Sequence, residues 1–177
     1  MPHTTFSAHL DVLVARQPDA TILIDQDQPI SAALLRARSR ALAAGLARIG
    51  VQPGQRVAVW LPNCAAWVES FLASAHLGAL VLAVNTRFRA LELADILGRG
   101  KADWLVFWPG FKGIDFQGIL GEVAPEHLAR LQGVIALTGV GEALPDAMHG
   151  KPAHRYLDLL ACPDPAPPAQ PNAGVLC

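Results

Sequence analysis

Arg87, Arg89 and Lys112 are the residues whose type and placement could do chemistry. Each follows a short apolar run, Leu80 to Val84 or Trp104 to Trp108, with the composition of a buried strand. If those strands lie parallel in an α/β sheet, the three cations stand just beyond its carboxyl edge, where open sheets bind ligands. Guanidinium and ammonium groups at that edge suit phosphates. The competing reading is ordinary charge on solvated loops.

Other constellations fail on spacing. Gly139-Val-Gly141 follows an apolar run, but a dinucleotide fingerprint needs a third glycine opening a helix, and the chain has Leu144 and Pro145 there. The six histidines are scattered, and His149 and His154 lack a third ligand at metal spacing. No G-x-S-x-G elbow or Walker loop is present. Asp11, Asp25, Asp27, Glu92 and Asp95 have no base or nucleophile beside them, so they read as caps and surface charge. The sequence thus shows no catalytic residue and no metal ligand set.

The elements that position the basic turns follow from periodicity and punctuation. Phe6, Leu10, Leu13 and Val14 predict an opening helix that ends near Gln17-Pro18. Thr21 to Asp25 and a short piece at Ile30 predict a small hairpin turning at Asp27-Gln28-Pro29. Ser31 caps a long helix through Ile49, with Leu35, Leu42, Leu46 and Ile49 on one face and Arg36, Arg40 and Arg48 on a solvated one. Gly50 closes it, and Arg56 to Trp60 is the next strand.

Asn63 is the expected cap of a helix whose shared face is Trp67, Phe71 and Ala75, ending at Gly78. Leu80 to Val84 reads as a parallel strand covered on both faces. Asn85 to Arg89 then turns into a helix carrying Leu93, Ile96 and Leu97, stopped by Gly98 and Gly100, before the strand Trp104 to Trp108. Phe111 to Phe116 reads as a loop, Gln117 to Leu131 as a mixed helix, and Gly133 to Thr138 as a strand. A loop over 139–154 and a short helix from His154 to Ala161 follow. Five prolines within residues 163–172 make that segment a linker, and 173–177 begins another strand. Helices alternating with short apolar strands define an α/β class, a mostly parallel sheet flanked by helices, over residues 1–162.

The bulk numbers exclude several classes. The chain has 177 residues, 14 basic and 15 acidic, for a formal charge of −1, which gives no electrostatic case for nucleic acid. Its mean hydropathy is +0.31, yet Glu69 and His76 interrupt the longest apolar stretch, Cys64 to Val84, so no membrane span is expected. The N-terminus has no basic segment leading into an apolar run, so no secretory signal is read. Three cysteines without a C-x-x-C pair suit a reducing cytoplasm rather than a disulfide framework.

The order of segments resembles the N-terminal part of the adenylate-forming acyl-CoA synthetases (AMP-dependent synthetases and ligases). The matching text is Pro18-Asp-Ala20, SRALAAGLARIGVQPGQRVAVWLPN (39–63), WVESFLASAHLGALVLAVNTRF (67–88) and LVFWPGFKGIDF (105–116). Two departures stand out. Ser31 to Leu35 lacks the tyrosine and glutamate of the family's Thr/Ser-Tyr-x-Glu-Leu pattern. The chain also ends at Gly174-Val-Leu-Cys177, where the family's Ser/Thr/Gly-rich phosphate loop would follow.

The resemblance implies a two-step reaction. A carboxylate and ATP give an acyl-adenylate and pyrophosphate, and the thiol of CoA then displaces AMP, with Mg²⁺ as the metal cofactor. It places Arg87, Phe88, Lys112 and Gly113 near the CoA nucleotide and leaves the adenylation residues outside this sequence. A fragment inactive alone is the expectation. The alternative is a non-catalytic module of that fold that forms a homodimer or docks with a partner supplying the rest.

Overall fold

A computed structural model describes residues 5–139 and 141–162. The Pro-rich segment 163–172 and the strand start at 173–177 therefore lie outside the described residues. Thr5 caps α1 (Phe6–Arg16) by accepting from the Ala8 N–H. The hairpin β1 (Thr21–Asp25) and β2 (Gln28–Ser31) turns at Gln26 and Asp27, both at positive φ, one residue earlier than the sequence suggests. Pro29 pairs with Ile24 inside β2 instead of turning. Ser31 caps α2 (Ala32–Ile49) through the Leu34 N–H, and Gly50 closes it at φ 108°, a backbone state that favours glycine.

The sheet then begins with β3 (Arg56–Trp60), followed by α3 (Ala65–His76), β4 (Leu80–Ala83), α4 (Ala90–Arg99) and β5 (Trp104–Phe107). The expected loop at 111–116 contains a miniature hairpin, β6 (Gly110–Phe111) with β7 (Ile114–Asp115). The single helix expected to Leu131 is two pieces, α5 (Phe116–Gly121) and α6 (Pro125–Leu128). Pro125, which has no N–H to donate, can only open a helix there. β8 (Gly133–Ala136) follows. The expected 139–154 loop holds β9 (Ala147–Met148) and β10 (Lys151–Arg155), so His154 belongs to a strand and α7 (Tyr156–Leu160) starts two residues later.

The six strands lie in the order β4-β3-β5-β8-β10-β9, parallel except for β9. Counting only the parallel strands in chain order gives 2-1-3-4-5, a doubly wound sheet whose direction of travel reverses between β3 and β5. This order puts β4 at the edge and corrects the expectation that Leu80 to Val84 is covered on both faces. Ala83 is exposed and Leu82 only half-buried. One core lies under α2, α3 and α7, around Leu42, Leu46, Val57, Val59 and Ile135. The other lies under α4, α5 and α6, around Trp60, Leu93, Leu97, Phe107 and Phe116. Trp60 meets Phe116 edge-on at 4.7 Å, a geometry that adds about 0.5–1.5 kcal/mol beyond burial.

The buried face of α3 differs from the one read off periodicity. Ala66, Glu69, Ser70 and Ala73 are buried, while Trp67 and Phe71 stack at 5.8 Å along the border, and Phe6 of α1 meets Phe71 edge-on at 5.1 Å. Small side chains let α3 lie close to the sheet, so the aromatics are displaced to its flank. At Gly45 a β-carbon would collide with the Leu159 carbonyl, so glycine is what allows α2 and α7 to pack closely. Among the described residues no helix is long and apolar enough to cross a membrane.

Candidate functional site at the carboxyl edge of the sheet

The reversal of strand order opens a crevice between the loops leaving β3 and β5. The first loop, Leu61-Pro62-Asn63-Cys64, and the β6–β7 hairpin face one another across it. On the β4 side the crevice is a cleft of about 450 Å³ walled by Pro62, Asn63, Trp67, Asn85, Thr86 and Lys112. The β4 wall is built locally. Asn85 Oδ1 accepts the Arg87 N–H at 2.9 Å, its carbonyl accepts the Phe88 N–H at 3.1 Å, and Trp60 Nε1 donates to that carbonyl at 3.2 Å. A side-chain turn pinned to a buried indole fixes the loop without sheet pairing.

The structure places the four expected residues unequally. Lys112 lines the cleft at positive φ, with Nζ 5.3 Å from the centre of the Phe111 ring, and Gly113 (φ 78°) completes the same hairpin turn. Arg87 is exposed beside the cleft wall rather than in it. Phe88 packs half-buried against the second core. Arg89 Nη1 folds back onto the carbonyls of Arg87 and Phe88, both at 3.2 Å. The Arg89 N–H donates to Glu92 Oε2 at 3.0 Å, and this hydrogen bond holds the Glu92 carboxyl below its ordinary range. Trp67, Asn63, Asn85 and Thr86 are cleft residues that charge-based reading missed.

A second cleft, of about 660 Å³, lies on the α2 side of the same crevice, with Cys64 and Ala65 at the boundary. Here the expected cap of α3 is corrected. Cys64, not Asn63, precedes the helix and makes no side-chain cap. The Ala65 N–H instead donates to Asp25 Oδ2 at 3.0 Å, from the end of β1. Burial pushes the Cys64 thiol above its ordinary 9.0, so it is a poor nucleophile at neutral pH.

Beneath this cleft lies a polar cluster of Glu69, Tyr156 and Arg38, of which the sequence suggests only Glu69, as an interruption of an apolar run. Glu69 is completely buried. The Tyr156 hydroxyl donates to its Oε2 at 2.6 Å. Arg38 Nε stands 2.8 Å from its Oε1, at an angle too poor for a hydrogen bond, so the two atoms attract without bonding. Burial raises the Glu69 carboxyl above its ordinary 4.5, while the Tyr156 hydroxyl and the Arg38 charge pull it down. Burial and Glu69 together raise the Tyr156 hydroxyl well above 10.0. Arg36 and Arg40 are not free surface charge either, since both pair with Asp11 and clamp α1 onto α2. Among the described residues no group of three His, Cys, Asp or Glu is gathered to hold a metal ion.

Helices on both faces of a 2-1-3-4-5 sheet, with clefts at the reversal of strand order, define a doubly wound ligand-binding domain. Residues 10–172 match the AMP-binding enzyme family, and the chain belongs to that family. It is 43% identical over 111 residues to a 3-[(3aS,4S,7aS)-7a-methyl-1,5-dioxo-octahydro-1H-inden-4-yl]propanoyl:CoA ligase of Mycobacterium tuberculosis, covering 63% of this chain and 22% of that protein. It is 32% identical over 146 residues to the mouse mitochondrial medium-chain acyl-CoA ligase ACSF2, covering 81% of this chain and 23% of that protein. The acetoacetyl-CoA synthetase of Streptomyces lividans superposes with a TM-score of 0.76 at 25% identity, over 93% of this chain and 26% of that one. The chain thus spans about a fifth of the length of these curated relatives, 22% and 23%. It matches the N-terminal portion of longer acyl-CoA ligases, as the resemblance implied.

Proposed function

We propose that the protein is the N-terminal subdomain, over residues 1–162, of an AMP-forming acid–thiol ligase. The full reaction converts a carboxylic acid, ATP and CoA to acyl-CoA, AMP and pyrophosphate. The observation that carries this reading is the basic cleft at the reversal point, with Lys112 on its wall and Arg87 beside it. That placement supports a role in receiving the CoA nucleotide, with Lys112 and Gly113 on the hairpin at the cleft and Arg87 and Phe88 in the turn beside it. On this reading ATP and Mg²⁺ act in the complete ligase, at residues other than those of this cleft. The Cys64 thiol, which forms no disulfide among the described residues, suits the cytoplasm.

Calorimetric titration tests the reading directly. No cofactor is expected to bind this chain alone tightly; CoA binds it weakly, and Lys112→Ala weakens that binding by about tenfold, the worth of one charge-assisted hydrogen bond. Unchanged CoA affinity in Lys112→Ala would remove Lys112 from the site. The same protein supports no ATP–pyrophosphate exchange, and robust exchange with any carboxylic acid would overturn the view that this chain is inactive alone. The non-catalytic docking reading is favoured by the exposed apolar residues, among them Leu91, Ile24 and Phe6. It requires a dimer or complex by light scattering, and a lone monomer opposes it.

A further inference from the structure

The 660 Å³ cleft on the α2 side has no part in the function proposed above, and its wall carries two opposite charges with unused bonding capacity. Asp25 spends Oδ2 on the Ala65 N–H, and no hydrogen bond or ion pair reaches its other oxygen among the described residues. Arg38 is held from below by Glu69 through its buried Nε, and its four terminal N–H groups have no protein partner among the described residues. Asp25 and Arg38 do not pair with each other, yet both line the one cleft. Each is fixed by a separate part of the fold, one by a helix N-terminus and the other by a buried carboxylate. Both are therefore organised before any ligand arrives.

A lone carboxylate entering here would meet Arg38 but face Asp25. A lone amine would meet Asp25 but face Arg38. A molecule carrying both charges on groups flanking one carbon satisfies the pair; Ile30, Leu34, Trp108 and Leu137 give the wall an apolar stretch, with Gln26 and Gln28 at its polar margin. We propose that this cleft binds a free α-amino acid with a hydrophobic side chain. Its ammonium sits at Asp25, its carboxylate on the Arg38 guanidinium, and its side chain against Trp108 and Leu137. The volume exceeds that of any single amino acid, and the polar-anchor, apolar-body division is the usual anatomy of a small-molecule site. The proposal does not depend on the ligase reading.

Calorimetry with three probes tests it: L-phenylalanine, 3-phenylpropionate, which lacks the ammonium, and 2-phenylethylamine, which lacks the carboxylate. L-Phenylalanine binds at least about tenfold more tightly than either analogue, since each loses one charge-assisted contact. Asp25→Asn keeps the oxygen that caps α3, so the fold is retained while L-phenylalanine loses its advantage over 3-phenylpropionate. Arg38→Gln removes the advantage over 2-phenylethylamine. Leu34→Trp fills the mouth from an exposed position and abolishes binding without disturbing the core, which keeps the test informative if Arg38→Gln folds poorly. Three results would each overturn the proposal. They are no L-phenylalanine binding at about 10 mM, equal binding of all three probes, or undiminished binding in Leu34→Trp.

Discussion

Replacing Glu69 with glutamine separates two accounts of the buried cluster. The glutamine keeps an oxygen for the Tyr156 hydroxyl, now 2.6 Å from Glu69 Oε2, and removes only the charge. The raised carboxyl pKa shows that desolvation outweighs the help from Tyr156 and Arg38. The folded protein therefore holds the Glu69 proton to a higher pH than the unfolded chain does. Between the ordinary value of 4.5 and the raised folded value, the folded state binds more protons, so stability falls as pH rises through that window. Each tenfold weakening of the acid corresponds to about 1.4 kcal/mol of stability lost across it.

Glu69→Gln mimics the protonated form, so it lacks this fall and at pH 7 is as stable as the wild type or more so. Its one cost, the loss of attraction to Arg38, is limited because that side chain is 36% exposed and solvated; exposed pairs are worth about 1 kcal/mol or less. Urea unfolding followed by tryptophan fluorescence, at half-unit steps from pH 4 to 8, measures both quantities. If the variant loses about 3–5 kcal/mol at pH 7, the cost of breaking a productive buried pair, or if wild-type stability rises with pH through the window, the reasoning is wrong.

Gly45→Ala drives a methyl group into the Leu159 carbonyl. Overpacking of about 1–3 kcal/mol outweighs the roughly 1 kcal/mol that alanine contributes within a helix, and a lowered urea midpoint checks the net loss. Asp11→Asn breaks the clamp to Arg36 and Arg40, a pair of contacts worth about 0.2–1 kcal/mol each. Because α1 has no buried residue, hydrogen exchange in Phe6–Arg16 accelerates while the sheet stays protected, and high salt produces the same pattern in the wild type.

What local sequence determines was legible, and what distant partners determine was not. The cap at Ser31, the stop at Gly50 and the strand Arg56–Trp60 follow from adjacent residues, and each lies where expected. β10 escaped because Lys151-Pro-Ala-His-Arg155 has no alternating apolar pattern and becomes a strand by pairing with β8 and β9. Asn63 is a good cap by type, but the carboxylate that serves α3 arrives from 40 residues away. Glu69 looked like a break in an apolar run because its partners, Arg38 and Tyr156, lie far along the chain. The basic turns were placed correctly at the carboxyl edge, yet only the strand order shows that the crevice opens between β3 and β5. That order separates Lys112, which lines the cleft, from Arg87, which stands outside it.

The hydrogen bond from Ala65 to Asp25 makes the small hairpin a lever on the longer helix. The first turn of α3 is common ground between the two clefts, since Trp67 walls one and Cys64, Ala65 and Ala66 wall the other. Its leading N–H is held only from outside the helix, so any load on Asp25 is transmitted to that turn. The hairpin thereby anchors, from outside the helix, the one turn that both clefts share.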